Sequence, residues 1–484
     1  MKTNSIKLHV AIIAMVVAGI IAAPAQPSPS SELDELKAQM QAMQKNLMEM
    51  QKKIDELEQE KTNAAAQSAL DKSSPSIQDM LKIAAGQNVG GVSPVTPRDS
   101  FNDQQVAAQR PGNLTQDPKY RGYIPVPNTP ALIKFNAKPR VDFTSDSQNS
   151  GNPDRFVTAQ IPVRGQLGYG GSEQFNVNAR GSQLSMDVRA PNVPGNFRFY
   201  YQNDFFGSGS GMSYRLQQLY GQYYNVTAGF TYSCFEDPDA WPDTVDYEGP
   251  NSQIFARRAL VKYTLPLNDK WQMNFGIEAP SSETDANSQT VTSSSNITQN
   301  NSAPDGTMNF RWEDATWGHI QASGVVRDIG STGPGVGNQS VFGWGVNLCS
   351  SINVFDGDSF QEEVTYGEGI FRYFNDDFFN NDAAYNSSGN LQALPVFGAM
   401  GAYTHKWNSD FRSTASFGYV NIDNQASQGP DAYNQTYYGS MNVIWQLKKH
   451  LSVGLEGLYG RKEVQSDAWG DVFRVQMSIM YSLF

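Results

Sequence analysis

The 484-residue chain is poor in the residues that carry most enzyme chemistry: it has two cysteines, Cys234 and Cys349, and four histidines, His9, His319, His405 and His450. Two thiols exclude a disulfide-stapled scaffold. By local alternation Cys234 shares a face with Phe230 and Tyr232, whereas Cys349 lies opposite Trp344, Val346 and Leu348; free thiols are therefore expected. There is no C-x-x-C pair and no histidine cluster, and Gly207, Gly209 and Gly211 of DFFGSGSG mark a turn, opening no helix. No metal and no cofactor is expected. No histidine has a serine and a carboxylate at the spacing of a nucleophile and base; THKWNSD around His405 comes nearest and reads as a strand end, so the chain is not expected to be an enzyme. A net charge of -12 argues against nucleic acid as a partner. Long apolar runs are missing too. Beyond the extreme N terminus no window approaches the roughly 20 consecutive apolar residues of a membrane helix, which excludes a helical bundle in the bilayer but not a barrel, whose strands alternate.

What is present falls into four segments. Residues 1–25 carry Lys2 and Lys7, an apolar run from Val10 to Ile21 and Ala23-Pro24-Ala25, the pattern of a cleaved secretory signal; an uncleaved anchor is the alternative. In residues 26–61, Leu33, Leu36, Met40, Met43, Leu47, Met50, Ile54 and Leu57 alternate in steps of three and four, flanked by Glu, Lys, Gln and Asn. This is an a/d seam over four heptads and predicts a coiled coil that oligomerises, in preference to one helix packed on its own domain. Residues 62–130, rich in Ala, Ser, Gln, Asn and Pro with one short helical candidate at Ser76 to Ala85, read as a linker. Its end, Tyr123 to Pro130, is expected to be an extended, stiff approach.

From Ile133 the apolar period becomes two and stays so to the last residue. Phe175, Val177 and Ala179 alternate with Asn176, Asn178 and Arg180; Phe197, Phe199 and Tyr201 with Arg198, Tyr200 and Gln202; Met441, Val443, Trp445 and Leu447 continue the pattern far downstream. Alternation alone fits a soluble sandwich or a membrane barrel. Aromatic residues gathered at strand ends, tight turns alternating with long polar connections, and a terminal strand FRVQMSIMYSLF favour the barrel, with lipid against the apolar face. The connections Ser281 to Asp305 and Ala383 to Asn390 are expected to be exposed loops. The 352 residues from Ile133 to Phe484 suffice, at roughly 22 per strand and connection, for about 16 strands. The fold expected is an all-β transmembrane β-barrel of antiparallel strands over 131–484 with an N-terminal periplasmic α-helical coiled coil.

The polar parity holds Arg180, Arg189, Arg198, Arg258, Lys262, Arg412 and Arg474, with Asp187 and Glu456 as acidic exceptions. Cationic rings in a pore draw anions; for any one arginine, bracing against a loop carboxylate is the alternative. The segment GFTYSCFEDPDAWPDTVDYEGP carries Glu236, Asp237, Asp239, Asp243, Asp246 and Glu248, and can be either a constriction loop facing the arginines or a solvated outer loop.

The stretch QNDFFGSG…YRLQQLYGQY…VTAGFTYSCFEDPDAWPDTVDYEGPNSQIFARRALVKYT, with WGHIQASGVVRDI, TYGEGIFRYFND and LEGLYGRKE, resembles the DcaP-like trimeric porins of Gram-negative outer membranes over essentially the whole chain. The resemblance implies a homotrimer of 16-stranded barrels passing small anions, dicarboxylates among them, and favours the constriction reading. It places basic residues at Arg180, Arg189, Arg215, Arg257, Lys262 and Arg372, where Lys262 replaces an expected arginine. Gln202 and Asn203 depart from the acidic and small residues expected before Asp204.

The function expected is a passive outer-membrane porin that prefers small anionic solutes, surrounded by lipid and lipopolysaccharide. The alternative is a structural anchor tethering the envelope through the coiled coil to peptidoglycan or a periplasmic protein.

Overall fold

The computed structural model describes residues 122–483 except 192, 210, 286–296, 356 and 378–380. The signal segment and the heptad seam from Leu33 to Leu57 lie outside the described residues.

Period-two sequence yields strand throughout. The strands are β1 (Leu132–Lys138 and Arg140–Asp146), β2 (Gln174–Asn178 and Gln183–Ala190), β3 (Phe197–Asp204), β4 (Arg215–Tyr223), β5 (Val226–Tyr232), β6 (Arg257–Pro266), β7 (Trp271–Glu278) and β8 (Asp305–Asp314). They continue as β9 (Gly318–Gly333), β10 (Gly337–Val354), β11 (Asp358–Glu368), β12 (Pro395–Lys406), β13 (Phe411–Ile422), β14 (Tyr433–Lys448), β15 (Leu451–Val464) and β16 (Trp469–Tyr481). Each pairs antiparallel with the next, and β16 returns to β1 in the register Arg474↔Asp146 to Met480↔Arg140, so the sixteen strands form a closed ring. Closure leaves no strand edge unpaired. β1 is interrupted at Pro139, which has no N–H to give the ladder, and the amide of Arg140 turns to the Ser182 hydroxyl at 3.0 Å in the matching gap of β2.

Burial is inverted relative to a soluble sheet. The alternate residues that face outward are large and apolar and stay exposed, among them Phe135, Val177, Phe275, Val346, Phe417 and Leu455, while the inward set holds buried Arg140, Asp142, Arg198, Gln218, Asn309, Glu363, Glu456 and Arg474. Only a surrounding hydrocarbon makes that arrangement favourable. Seven connections on one rim are turns such as 224–225, 315–317 and 449–450; the other rim carries the long ones, L1 (147–173), L3 (233–256), L4 (279–304) and L6 (369–394). Outside the short-turn rim, aromatic side chains form a girdle: Trp271 stacks on Phe310 at 4.6 Å and Phe411 on Trp445 at 5.4 Å, with Trp317, Trp407 and Tyr481 exposed nearby.

Two local expectations are corrected. The proline tract does not run as a stiff extended approach: Ile124–Pro125 pairs with Leu132 and Ile133, the Val126 amide donates to the Ala131 carbonyl at 2.9 Å, and the chain reverses with Asn128 at φ 61°. Nor is 383–390 exposed throughout: Ser387, Ser388 and Asn390 at its tip are exposed, but its first half is not. Ala383, Ala384 and Tyr385 are fully buried, forming a small sheet with Thr284–Asp285 and Leu391–Ala393, and Ser282 and Thr284 are buried as well. Their polar or small composition resembles an outer loop because the barrel interior is itself polar.

Both thiols are free and buried.

Candidate functional site

L1, L3 and L6 fold into the barrel and meet in an apolar cluster of Val157 and Ala159 from L1, Phe235, Ile254 and Ala256 from L3, and Ile370, Phe371, Tyr373 and Phe374 from L6, against Val396 and Val420 of the wall. Apolar burial inside a polar-lined ring gives these loops a reason to stay inside. The wall makes room with glycine: a Cβ on Gly398 would lie 2.2 Å from the Phe374 ring, and one on Gly418 would lie 2.3 Å from Asn251 Oδ1.

L3 crosses the interior, and each part of it is tied to a different strand. At its start the Ser233 hydroxyl and the Cys234 amide donate to Glu278 of β7, at 2.8 and 3.1 Å. Asp237 and Asp239 take the Arg311 guanidinium of β8 at 2.6 and 2.8 Å, and His319 of β9 lies 2.8 Å from Asp237. On the far side Asp243 binds Arg412 of β13, the Asp246 amide donates to Glu456 of β15, and Glu248 binds Arg155 of L1 at 2.9 Å. Returning, Asn251 donates to Thr436 at 2.7 Å and Ser252 to the Ala399 carbonyl at 2.8 Å. Glu236 is buried with the Ala256 amide donating to it at 2.6 Å, and burial pushes its carboxyl well above the usual range.

The structure divides the cations named from sequence into two groups. Arg180 binds Asp154 at 2.7 Å, Arg189 and Arg198 share Asp187 at 3.1 and 3.0 Å, Arg215 binds Asp204 at 2.6 Å, Arg412 binds Asp243, and Arg474 binds Asp146 at 2.6 Å. These are braces. Arg198 and Arg474 are wholly buried, and Arg198 lies over the Tyr200 ring at 4.9 Å. Arg258 and Lys262, four residues apart on the inward face of β6, are partly exposed and have no carboxylate partner among the described residues. Arg258 donates to the Arg372 carbonyl at 2.9 Å and lies over the Tyr373 ring at 5.4 Å. Arg372 is buried beneath it, 3.5 Å from Asp305; burial and the neighbouring Arg258 and Arg327 guanidinium groups lower its pKa. Arg257 lies over Phe255 at 4.6 Å.

Arg140, Arg155, Arg311 and Arg327 were not singled out from sequence, although Arg311 and Arg327 share the polar parity of their strands. Arg327 holds Asp382 at 2.8 Å and Asp305 at 3.2 Å. Outside the barrel, His405 bonds Asp358 at 2.8 Å and stands edge-on to Trp407 at 4.3 Å, a rim contact.

The arrangement is a polar-walled ring whose interior is narrowed by three loops, suited to selecting solutes by size and charge. Among solved structures, the outer membrane channel DcaP of Acinetobacter baumannii superposes with a TM-score of 0.64 at 18% identity, covering 73% of this chain and 97% of that one. Salmonella typhi OmpF in complex with daunomycin gives 0.47 at 10%, covering 75% and 100%, and an anion-selective porin from Comamonas acidovorans 0.46 at 10%, covering 73% and 100%. No curated protein sequence matches the chain. The DcaP outer membrane protein family matches residues 92–483, so this chain is an outer-membrane channel protein belonging to that family.

Proposed function

We propose that the protein is a passive diffusion channel preferring small anions such as dicarboxylates, working as a homotrimer. The observation that carries the ion preference is the pair Arg258 and Lys262: both face the lumen, both are partly exposed, and neither is in an ion pair among the described residues. Four residues of strand set them about 13 Å apart along the wall, so an anion passing L3 meets one and then the other. The inner carboxylates Glu236, Glu278 and Glu363, in no ion pair among the described residues, are buried. The acids of L3 narrow the passage while fastened to the wall. Braced arginines contribute a weaker field because carboxylates offset them, although Arg189 and Arg198 share one.

The homotrimer rests on the family resemblance. The heptad seam would assist it, below the membrane, since both ends of the barrel sequence lie at the short-turn rim and outer-membrane barrels keep short turns on the periplasmic side.

The test is reversal potential under a salt gradient in a planar bilayer, comparing wild type with Arg258→Ala/Lys262→Ala. Removing both charges is expected to lower the anion-to-cation permeability ratio at least roughly threefold while conductance persists. An unchanged ratio in the folded double variant overturns the assignment of these residues to the ion path.

A further inference from the structure

L4 and L6 meet beside Arg258. The Glu283 carbonyl accepts the amides of Asp382 and Ala383, each at 3.1 Å, and Thr284–Asp285 runs parallel to Ala383–Ala384. Where these loops meet, Glu283 of L4 and Asp377 of L6 come close enough for a hydrogen bond between their carboxyl groups. Such a bond requires a proton on one of them. Both side chains are partly exposed, so the pair exchanges protons with the solution.

The other charges around them are largely committed. Asp382 is held by Arg327 at 2.8 Å and by the Arg372 amide at 3.1 Å, and Asp305 by Arg327 at 3.2 Å and Arg372 at 3.5 Å. Glu283 faces Asp382, Arg372 and Arg258; Asp377 faces Glu283, Asp382 and Arg258. What remains to be balanced is Arg258 against the carboxyl pair.

We propose that Glu283 and Asp377 form a proton-sharing pair that sets the charge preference of the passage at Arg258, favouring anions when protonated and weakening that preference when ionised. The inference rests on Arg258 being a pore cation. Burial first, then repulsion from Asp382, pushes Glu283 up to about 7, and burial with the Glu283 charge holds Asp377 well above the usual carboxylate range. Raising the pH through neutrality therefore ionises Glu283, leaves the proton of Asp377 shared across the pair, and adds one negative charge beside Arg258. A unit charge roughly 7 Å from an ion path in water changes local ion concentration by roughly threefold, and more in dilute salt.

The test is reversal potential from pH 5 to pH 9 in dilute salt for wild type, Glu283→Gln/Asp377→Asn and, should the double variant fold poorly, Asp377→Asn alone. The expected result is a wild-type anion preference that falls roughly threefold as pH rises through neutrality, with the slope abolished in the double variant and reduced in the single one. A slope that survives in the variants, or a flat wild-type profile, overturns the pair. The reading on which it rests fails differently: a channel that prefers cations at every pH, yet loses its pH slope in the variants, upholds the pair and removes the anion assignment.

Discussion

Arg311 and Asp237 join β8 to L3 through a 2.6 Å ion pair whose side chains are 5% and 1% exposed, across 74 residues of sequence. The same guanidinium reaches Asp239 at 2.8 Å, so one residue holds two of the acids of the descending half of the loop. Arg311→Ala leaves Asp237 buried without its guanidinium partner, a change that costs on the order of 3–5 kcal/mol when a buried pair is broken. The cost falls on the seating of L3, because the strand ladders are untouched. Single-channel conductance and current noise are both expected to rise while the barrel keeps its heat-resistant mobility in gels. Unaltered conductance would mean that the loop is held by its other ties.

Glycine on the inward face of the wall gives a second way to unseat loops. Gly398→Val would drive its side chain into Phe374 of L6, and Gly418→Val into Asn251 and Ser252 of L3. Overpacking of this kind costs about 1–3 kcal/mol or expels the neighbour. Each variant is expected to widen the channel, read as conductance and as uptake of larger solutes into liposomes. Gly401→Ala, where an added Cβ meets nothing within 4 Å, is the control that changes neither.

The barrel was legible because strand parity is local: Met441, Val443 and Trp445 declare the lipid face without knowledge of any other strand. Parity also placed Arg198, Arg258 and Arg474 on the inner wall. It could not say which of them were neutralised, since several of the partners come from afar. Asp154 lies 26 residues from Arg180, and Asp243 lies 169 from Arg412. The reading of Ala383 to Asn390 as exposed holds at its tip and fails for Ala383 to Tyr385, for a related reason. A loop folded into a wet, polar interior needs little more apolar composition than one facing bulk water, and the apolar residues that anchor L6, Ile370 to Phe374, sit apart from the stretch judged exposed.

Arg198 and Arg258 share a wall but are expected to respond oppositely to truncation. Arg198 is fully buried and holds Asp187 at 3.0 Å, with Arg189 at 3.1 Å on the same carboxylate. Arg198→Ala therefore removes a brace: stability in urea unfolding should fall by on the order of 3–5 kcal/mol, and ion preference should hold, because the wholly buried Arg198 does not meet the passing ion. Arg258→Ala should shift ion preference and leave stability within about 1 kcal/mol, as for a partly exposed, unpaired group. Equal shifts in reversal potential from the two variants would sink the division into braces and pore cations.

Asp246 makes the seating of L3 depend on pH. Its side chain is buried, accepts the Gly249 amide at 3.0 Å, and is pushed by burial up to about 6, with Arg474 opposing and Glu248 adding to the rise. In a detached loop the carboxyl returns to an ordinary value near 4. Between about pH 4 and pH 6 the seated loop thus binds more protons than the free one, and its stability falls as pH rises through that window. Two units of difference correspond to roughly 3 kcal/mol, enough to alter how often the loop lifts. Current noise in wild type is expected to grow from pH 5 to pH 7.5, and Asp246→Asn, which keeps the acceptor and cannot ionise, should be quiet at both. Noise is the readout that separates this from the Glu283 and Asp377 pair, whose protonation moves ion preference. An Asp246→Asn channel with the wild-type rise in noise would place the pH-sensitive tie elsewhere in the loop.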